Sequence, residues 1–151
     1  MAETVITIPA NETDPKRVAA YFCIDPGNVK NMKYRSLEMN TVVNMVYHKS
    51  KWKLAQTYLD YEPGLPITER HAYKNLERDA PEDKIDILCM WSIRQLSRER
   101  SEITSFLSLL RKHNITLRTH IEEIDSSVIS DNLILDLWYI GIGERGSEPQ
   151  L

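Results

Sequence analysis

The run Ile85-Asp86-Ile87-Leu88-Cys89-Met90-Trp91 is the feature that most constrains this chain. It is short, almost wholly apolar, and rich in β-branched and bulky side chains. A segment of that length without helical periodicity is a strand, and a strand lacking polar alternation is covered on both faces. A strand buried on both sides needs helices above and below a mostly parallel sheet.

The rest of the chain supplies those elements in alternation. Arg17 to Ile24 is a short apolar run closed by Asp25-Pro26-Gly27, a buried strand followed by a turn. Ser36 is an N-cap candidate for a helix through about Lys49, with Val42, Val43 and Val46 as its apolar stripe. Trp52 to Asp60 has strand composition. Tyr61 to Thr68 carries Pro63, Gly64 and Pro66 and reads as a loop. Glu69 to Ala80 is a helix stopped by Pro81, and the strand Lys84 to Trp91 follows. Glu99 to His113 is the clearest helix, with Ile103, Phe106, Leu107 and Leu110 on one face and acidic and basic ends that complement the helix dipole. Ile115 to Glu122 alternates as a strand. Asp131 to Ile140 is an apolar helix that Gly141 and Gly143 are expected to stop. The order predicts an α/β fold, a mostly parallel sheet of four to five strands with helices on both faces. The expected organisation is an N-terminal arm over 1–16, one domain over 17–143 and a frayed tail over 144–151. Val5 to Ile8 has edge-strand composition, limited by Pro9 and Pro15.

A length of 151 residues suits a single domain able to bury its own core. The formal net charge of −3 gives no global attraction to nucleic acid, so DNA binding would require a local basic patch. Arg94, Arg98 and Arg100 form a local basic cluster, with Glu99 and Glu102 as alternative ion-pair partners. Cys23 and Cys89 lack metal-type spacing and read as buried free thiols of a reducing cytoplasm. His48, His71, His113 and His120 are scattered without ligand spacing. No apolar run is long enough to span a bilayer, and the N-terminus lacks a signal-peptide layout. The expectation is a cytoplasmic protein with no cofactor, no metal and no membrane partner.

In a parallel sheet the working site lies at the carboxyl ends of the strands, here Cys23–Asn28, Asp60–Arg70 and Trp91–Arg98. These segments carry a resemblance. Arg17-Val18-Ala19-Ala20-Tyr21 resembles the opening strand of large serine recombinases, and Ser36-Leu37-Glu38-Met39-Asn40 their Ser-Leu-Glu-x-Gln helix. Tyr58-Leu59-Asp60 resembles the Tyr-x-Asp before their glycine-rich loop, and Arg70 an arginine opening the next helix. Lys84-Ile85-Asp86-Ile87-Leu88 matches their Lys-Ile-Asp strand. Ser92-Ile93-Arg94-Gln95-Leu96-Ser97-Arg98 is similar to Ser-Ile-Ser-Arg-Phe-Ala-Arg, and Ile121 to Ser126 to the strand end before the long helix. The series runs in order from Arg17 to Ile140. It implies the resolvase-like catalytic-domain fold and a chemistry in which a serine attacks a DNA phosphodiester while arginines hold the phosphate.

The departures from that pattern fall on the chemistry. Asp25 stands where the resemblance implies the nucleophilic serine, and a carboxylate there repels a phosphodiester. Cys23 and Gln95 replace implied arginines, and Asn40 replaces a longer glutamine. Arg70 and Arg98 remain from the implied cationic set. Removing one electrostatic stabiliser costs about 10²–10³ in rate, so the expected product is a degenerate, inactive relative of mobile-element or phage origin. It is expected to pair with itself or a related recombinase through the helix from Asp131, and to bind DNA weakly at most. Two alternatives stand. One is an active DNA-nicking domain with Ser92 or Ser97 as substitute nucleophile. The other is a metal- or ligand-binding domain using Asp25 with Asp60 and Glu62. Ser92 and Ser97 also suit helix capping.

Overall fold

A computed structural model describes residues 15–24, 29–48 and 51–147. Among them four strands, β1 (Lys16–Cys23), β2 (Trp52–Asp60), β3 (Ile87–Met90) and β4 (Thr116–Thr119), form one sheet in the order β2-β1-β3-β4. Every pairing is parallel. The helices are α1 (Val29–Tyr47), α2 (His71–Asp79), α3 (Arg100–Lys112) and α4 (Asp131–Ser147), with short 3-10 turns at Ile67–Glu69, Ala80–Glu82 and Ile93–Gln95. The α/β class, the parallel sheet and the helices on both faces all follow the sequence expectation.

Strand side chains alternate between two cores. Ala19, Tyr21, Cys23, Leu88, Met90 and Leu117 face α2, α3 and α4, where they meet Leu76, Phe106 and Trp138. Val18, Ala20, Phe22, Ile87 and Cys89 face α1, where they meet Val42 and Val46. β3 is therefore buried throughout, as its apolar run requires. At the amino ends of β1 and β3, Arg17 ties the strands together. Its backbone N–H and Nε donate to Asp86 Oδ2 at 2.8 and 3.1 Å, and its Nη2 donates to Oδ1 at 2.9 Å.

Two helix boundaries differ from expectation. α1 begins at Val29, so Ser36 is an exposed interior residue rather than an N-cap. Val29 to Arg35 holds no proline or glycine, so nothing in that stretch halts propagation, and a solvent-facing serine is tolerated within a helix. α4 continues past Gly141 and Gly143 to Ser147, so the expected tail boundary at 144 falls inside a helix. An interior glycine costs a helix only about 1 kcal/mol. At Gly141 the Arg94 side chain packs close to the bare backbone: a Cβ there would lie 2.2 Å from Arg94 Cδ, so that side chain would have to move.

The order β2-β1-β3-β4 places a switch point between β1 and β3, because the chain leaves them toward opposite edges. In such sheets the crevice at the carboxyl ends of these two strands is the binding position. No helix among the described residues is long and apolar enough to cross a membrane.

Candidate active site

The carboxyl end of the sheet is organised around Asp60, the last residue of β2. Its register opposite Cys23 sets it beside β1, and it is buried. Asp60 Oδ1 accepts the Ala72 N–H at 2.7 Å, and Oδ2 accepts the Tyr73 N–H at 3.0 Å. A carboxylate from a neighbouring strand thus satisfies two unpaired donors in the first turn of α2, where helix-dipole charge favours an anion. The Tyr21 hydroxyl donates to the same carboxylate at 2.8 Å. Burial holds the Tyr21 hydroxyl well above its ordinary pKa, so it stays a neutral donor.

Arg70 lies immediately before α2 and is 2% exposed. Its extended backbone leads into the helix. Nε donates to Leu65 O at 3.0 Å, Nη2 to Pro63 O at 3.0 Å, and Nη1 reaches the Tyr21 hydroxyl at 3.5 Å. The guanidinium therefore braces the 63–66 loop. It also lines a cleft of about 360 Å³ with Ser97, Arg98, Glu99 and Glu102. Arg70 and Arg98 are thus brought to one cleft, Arg70 buried and Arg98 exposed. Two carboxylates share that cleft and offset the two cations.

The remaining expected cations are dispersed. Arg94 turns away, with Nε 3.3 Å from Ser92 Oγ and 3.4 Å from Glu122 Oε2. Arg100 is the exposed first residue of α3. Asn40 is exposed on α1, and Gln95 Nε2 donates to Glu38 Oε2 at 3.1 Å, joining the 93–95 turn to α1. Cys23 is buried at the end of β1, and burial pushes its thiol above the ordinary value. Burial likewise pushes the Cys89 thiol up to about 12. Asp25 lies outside the described residues.

Both serines have local structural partners. Ser92 caps the 93–95 turn: its Oγ accepts the Arg94 N–H at 3.2 Å and donates to Glu122 Oε2 at 2.5 Å. Ser97 Oγ accepts the Glu99 N–H at 2.9 Å and donates to Glu102 Oε1 at 2.5 Å. Asp60, considered above as a companion to Asp25, is committed to Tyr21 and α2. Among the described residues no group of three or more His, Cys, Asp or Glu side chains is placed to hold a metal ion. The sequence reading missed Tyr21 and Glu122. Both lie in segments that carry the resemblance, but nothing in their spacing gave either a role.

The fold and this cleft together define a doubly wound parallel α/β domain whose site, floored by a buried arginine, lies at the strand ends. The resolvase N-terminal domain family matches residues 38–140, and the chain belongs to that family. Its fold is that of a serine recombinase catalytic domain. It is similar to the N-terminal catalytic domain of TP901-1 integrase, with TM-score 0.56 and 24% identity over 89% of this chain and 100% of that one. It is also similar to a resolvase family site-specific recombinase from Streptococcus pneumoniae, with TM-score 0.65 and 14% identity over 87% and 89%. A third similarity is to the C-terminal catalytic domain of ISC1926 TnpA, an IS607-like serine recombinase, with TM-score 0.58 and 17% identity over 82% and 79%. No curated protein matches the chain.

Proposed function

We propose that this chain is a recombinase-type catalytic domain that does not cut DNA and acts as an interaction module. One observation carries the reading: two positions where the resemblance implies arginines hold neutral groups already committed elsewhere. Cys23 is a buried thiol held protonated by desolvation, and Gln95 is hydrogen-bonded to Glu38. Arg70 spends its donors on loop carbonyls. A phosphodiester entering this cleft would meet Glu99 and Glu102 as well as Arg98. With Asp25 at the nucleophile position, attack would produce a hydrolysable acyl phosphate unsuited to rejoining strands.

The test is a suicide DNA substrate that traps cleaved strands, read on a denaturing gel. No protein-linked DNA band is expected. Asp25→Ser alone should also give none, whereas Asp25→Ser with Cys23→Arg and Gln95→Arg should give at most a trace. A band from the parent chain would overturn the reading. The short hydroxyl–carboxylate contacts of Ser92 and Ser97 favour a second reading, a substitute nucleophile. A band abolished by Ser92→Ala or Ser97→Ala would establish it.

The partner surface in this reading is the outer side of α4. Ile134, Leu135 and Trp138 are buried in the domain, while Leu133 and Ile140 are 44% and 56% exposed, one helical face with the half-buried Leu137. A second copy or a related catalytic domain fits such an apolar stripe. Sedimentation is expected to show concentration-dependent self-association that Leu133→Lys with Ile140→Lys abolishes. DNA affinity should be weak and steeply salt-dependent, carried by Arg98 and Arg100. Two unpaired thiols suit a reducing cytoplasm.

A further inference from the structure

Three features of the chain lie outside the cleft lined by Arg70 and Arg98. Gly141 sits within α4. Glu123 adopts a backbone φ of 56°, in the left-handed region that disfavours a residue with a side chain. Glu122 is a carboxylate with a side chain only 7% exposed. Gly141 and Glu122 both meet Arg94, and Glu123 follows Glu122 in the chain. The aliphatic stem of Arg94 crosses α4 at Gly141, where a Cβ would lie 2.2 Å from Cδ, 2.9 Å from Nε and 3.0 Å from Cγ. A Cβ there would force the Arg94 stem aside. Beyond the stem, Nε meets Ser92 Oγ and Glu122 Oε2. Glu122 in turn accepts the Ser92 hydroxyl and, through Oε1, the Ile93 N–H at 3.1 Å. The strained Glu123 lies next to Glu122, in the turn that carries this carboxylate back over the end of β3.

The same short turn reaches the opposite side of the sheet. Ile93–Gln95 carries Arg94 to α4 and, one residue later, Gln95 to Glu38 on α1. We infer that Arg94 is a positioning residue: it latches α4 to the end of β3 and couples the seating of that helix to the Gln95–Glu38 contact. Arg94 is the cation beside the Glu122 carboxylate, so a shift of α4 against the Arg94 stem disturbs that ion pair and, through it, the turn that Glu122 holds by the Ser92 hydroxyl and the Ile93 N–H. The inference rests on the reading of α4 as the partner helix, because it makes partner binding on α4 perceptible at α1. Such coupling is carried by a contiguous packed and hydrogen-bonded path, and it is demonstrated only by perturbing one end and reading the other.

The test is hydrogen–deuterium exchange of the whole chain, without DNA and at a concentration where it is monomeric, read over Val29–Tyr47 and Asp131–Ser147. Four proteins are compared: the parent, Gly141→Ala, Arg94→Met, which keeps an aliphatic stem and removes the charge, and the double variant. Each single substitution is expected to speed exchange in both helices about tenfold, and the double variant is expected to be no faster than the faster single. Unchanged exchange in Gly141→Ala would overturn the latch. Faster exchange confined to α4 would overturn the coupling to α1, and additive effects in the double variant would show that Arg94 and Gly141 act separately. Self-association is measured independently by sedimentation, so failure here leaves the partner reading standing.

Discussion

The two faces of the sheet are built to different standards. On one, α2, α3 and α4 seal a core in which Tyr73, Leu76, Phe106 and Leu117 are almost inaccessible. On the other, the helix that covers the strands among the described residues is α1, through Val42 and Val46, and Met39, Trp52, Leu54, Leu59 and Trp91 remain partly open. The site residues divide along the same line. Tyr21, Asp60 and Arg70 belong to the sealed side, where each holds part of the fold. Asn40 and Gln95 belong to the α1 side, where one is exposed and the other makes a single cross-element hydrogen bond. Where a polar side chain also caps a helix or braces a loop, replacing it costs stability. Where it serves only a reacting phosphate, replacing it costs the fold little. At positions 40 and 95, where the chain departs from the recombinase pattern, Asn40 is exposed and Gln95 makes that one hydrogen bond, so replacement there should cost the fold little.

Truncating one side chain on each face tests this contrast most severely. Phe106→Ala, in the sealed core, is expected to destabilise by about 3–5 kcal/mol. Met39→Ala, at the margin of the α1 core, should cost roughly 1 kcal/mol because its side chain is already half in water. Urea unfolding midpoints at a common slope would check both, and equal losses would remove the distinction between the faces. Next in size is Asp60→Ala, which leaves the Tyr21 hydroxyl and the Ala72 and Tyr73 N–H groups without their acceptor. A loss of about 3–4 kcal/mol is expected, with Tyr21→Phe costing about 1–2 kcal/mol because it removes only one of those bonds.

A pH measurement probes the end of the sheet remote from the site. The hydrogen bonds from Arg17 hold the Asp86 carboxyl below its ordinary value of 3.8. Its folded-state pKa is depressed, so its contribution is full above the ordinary carboxylate pKa and is lost as pH falls through the depressed value. The window therefore lies at and below about pH 4. Asp86 and Arg17 are both partly exposed, so the contribution should be near 1 kcal/mol. Denaturation midpoints for the parent and Asp86→Asn should converge as pH falls from 7 to 3. A constant gap across that range would show that the pair contributes nothing through ionisation.

The order of strands and helices was legible because burial imposes a period. The apolar run of β3, the alternation of β4 and the 3.6-residue stripe of α3 each have one physical reading. The helix ends were less legible. Residues 29–35 lack an apolar stripe that would announce α1, and Gly141 looks like a stop when read along the chain and like a packing contact only when Arg94 is beside it. The resemblance pointed to Cys23, Arg70, Gln95 and Arg98, and of these Arg70 and Arg98 come to one cleft. The site was not legible where partners meet through register or an unusual backbone angle. Tyr21 finds Asp60 because Cys23 and Asp60 are paired in neighbouring strands, and no pattern within either strand encodes that meeting. Glu122 is buried in a turn that depends on a left-handed Glu123, which sequence statistics assign to glycine or asparagine.

The smallest expected effect is also the sharpest test of the contrast between the two faces. Gln95 lies on the α1 side and donates to Glu38 at 3.1 Å. Replacing it with the arginine that the family pattern implies would give the Glu38 carboxylate a charged donor in place of a neutral one, without disturbing the sealed core. The site is only partly buried, so solvent screens the new pair and the gain should be no more than about 0.5–1 kcal/mol. The gain should shrink as salt rises from about 0.05 M to about 0.5 M, because the contact is now between ions. Cleavage should stay absent, since Cys23 still leaves the end of β1 without a cation. Thermal denaturation at the two salt levels, run beside the suicide-substrate gel, reads both properties on one protein. A loss of several kcal/mol in Gln95→Arg would show that this position is structural after all, and the division between a load-carrying face and a face open to substitution would fail at the residue chosen to define it.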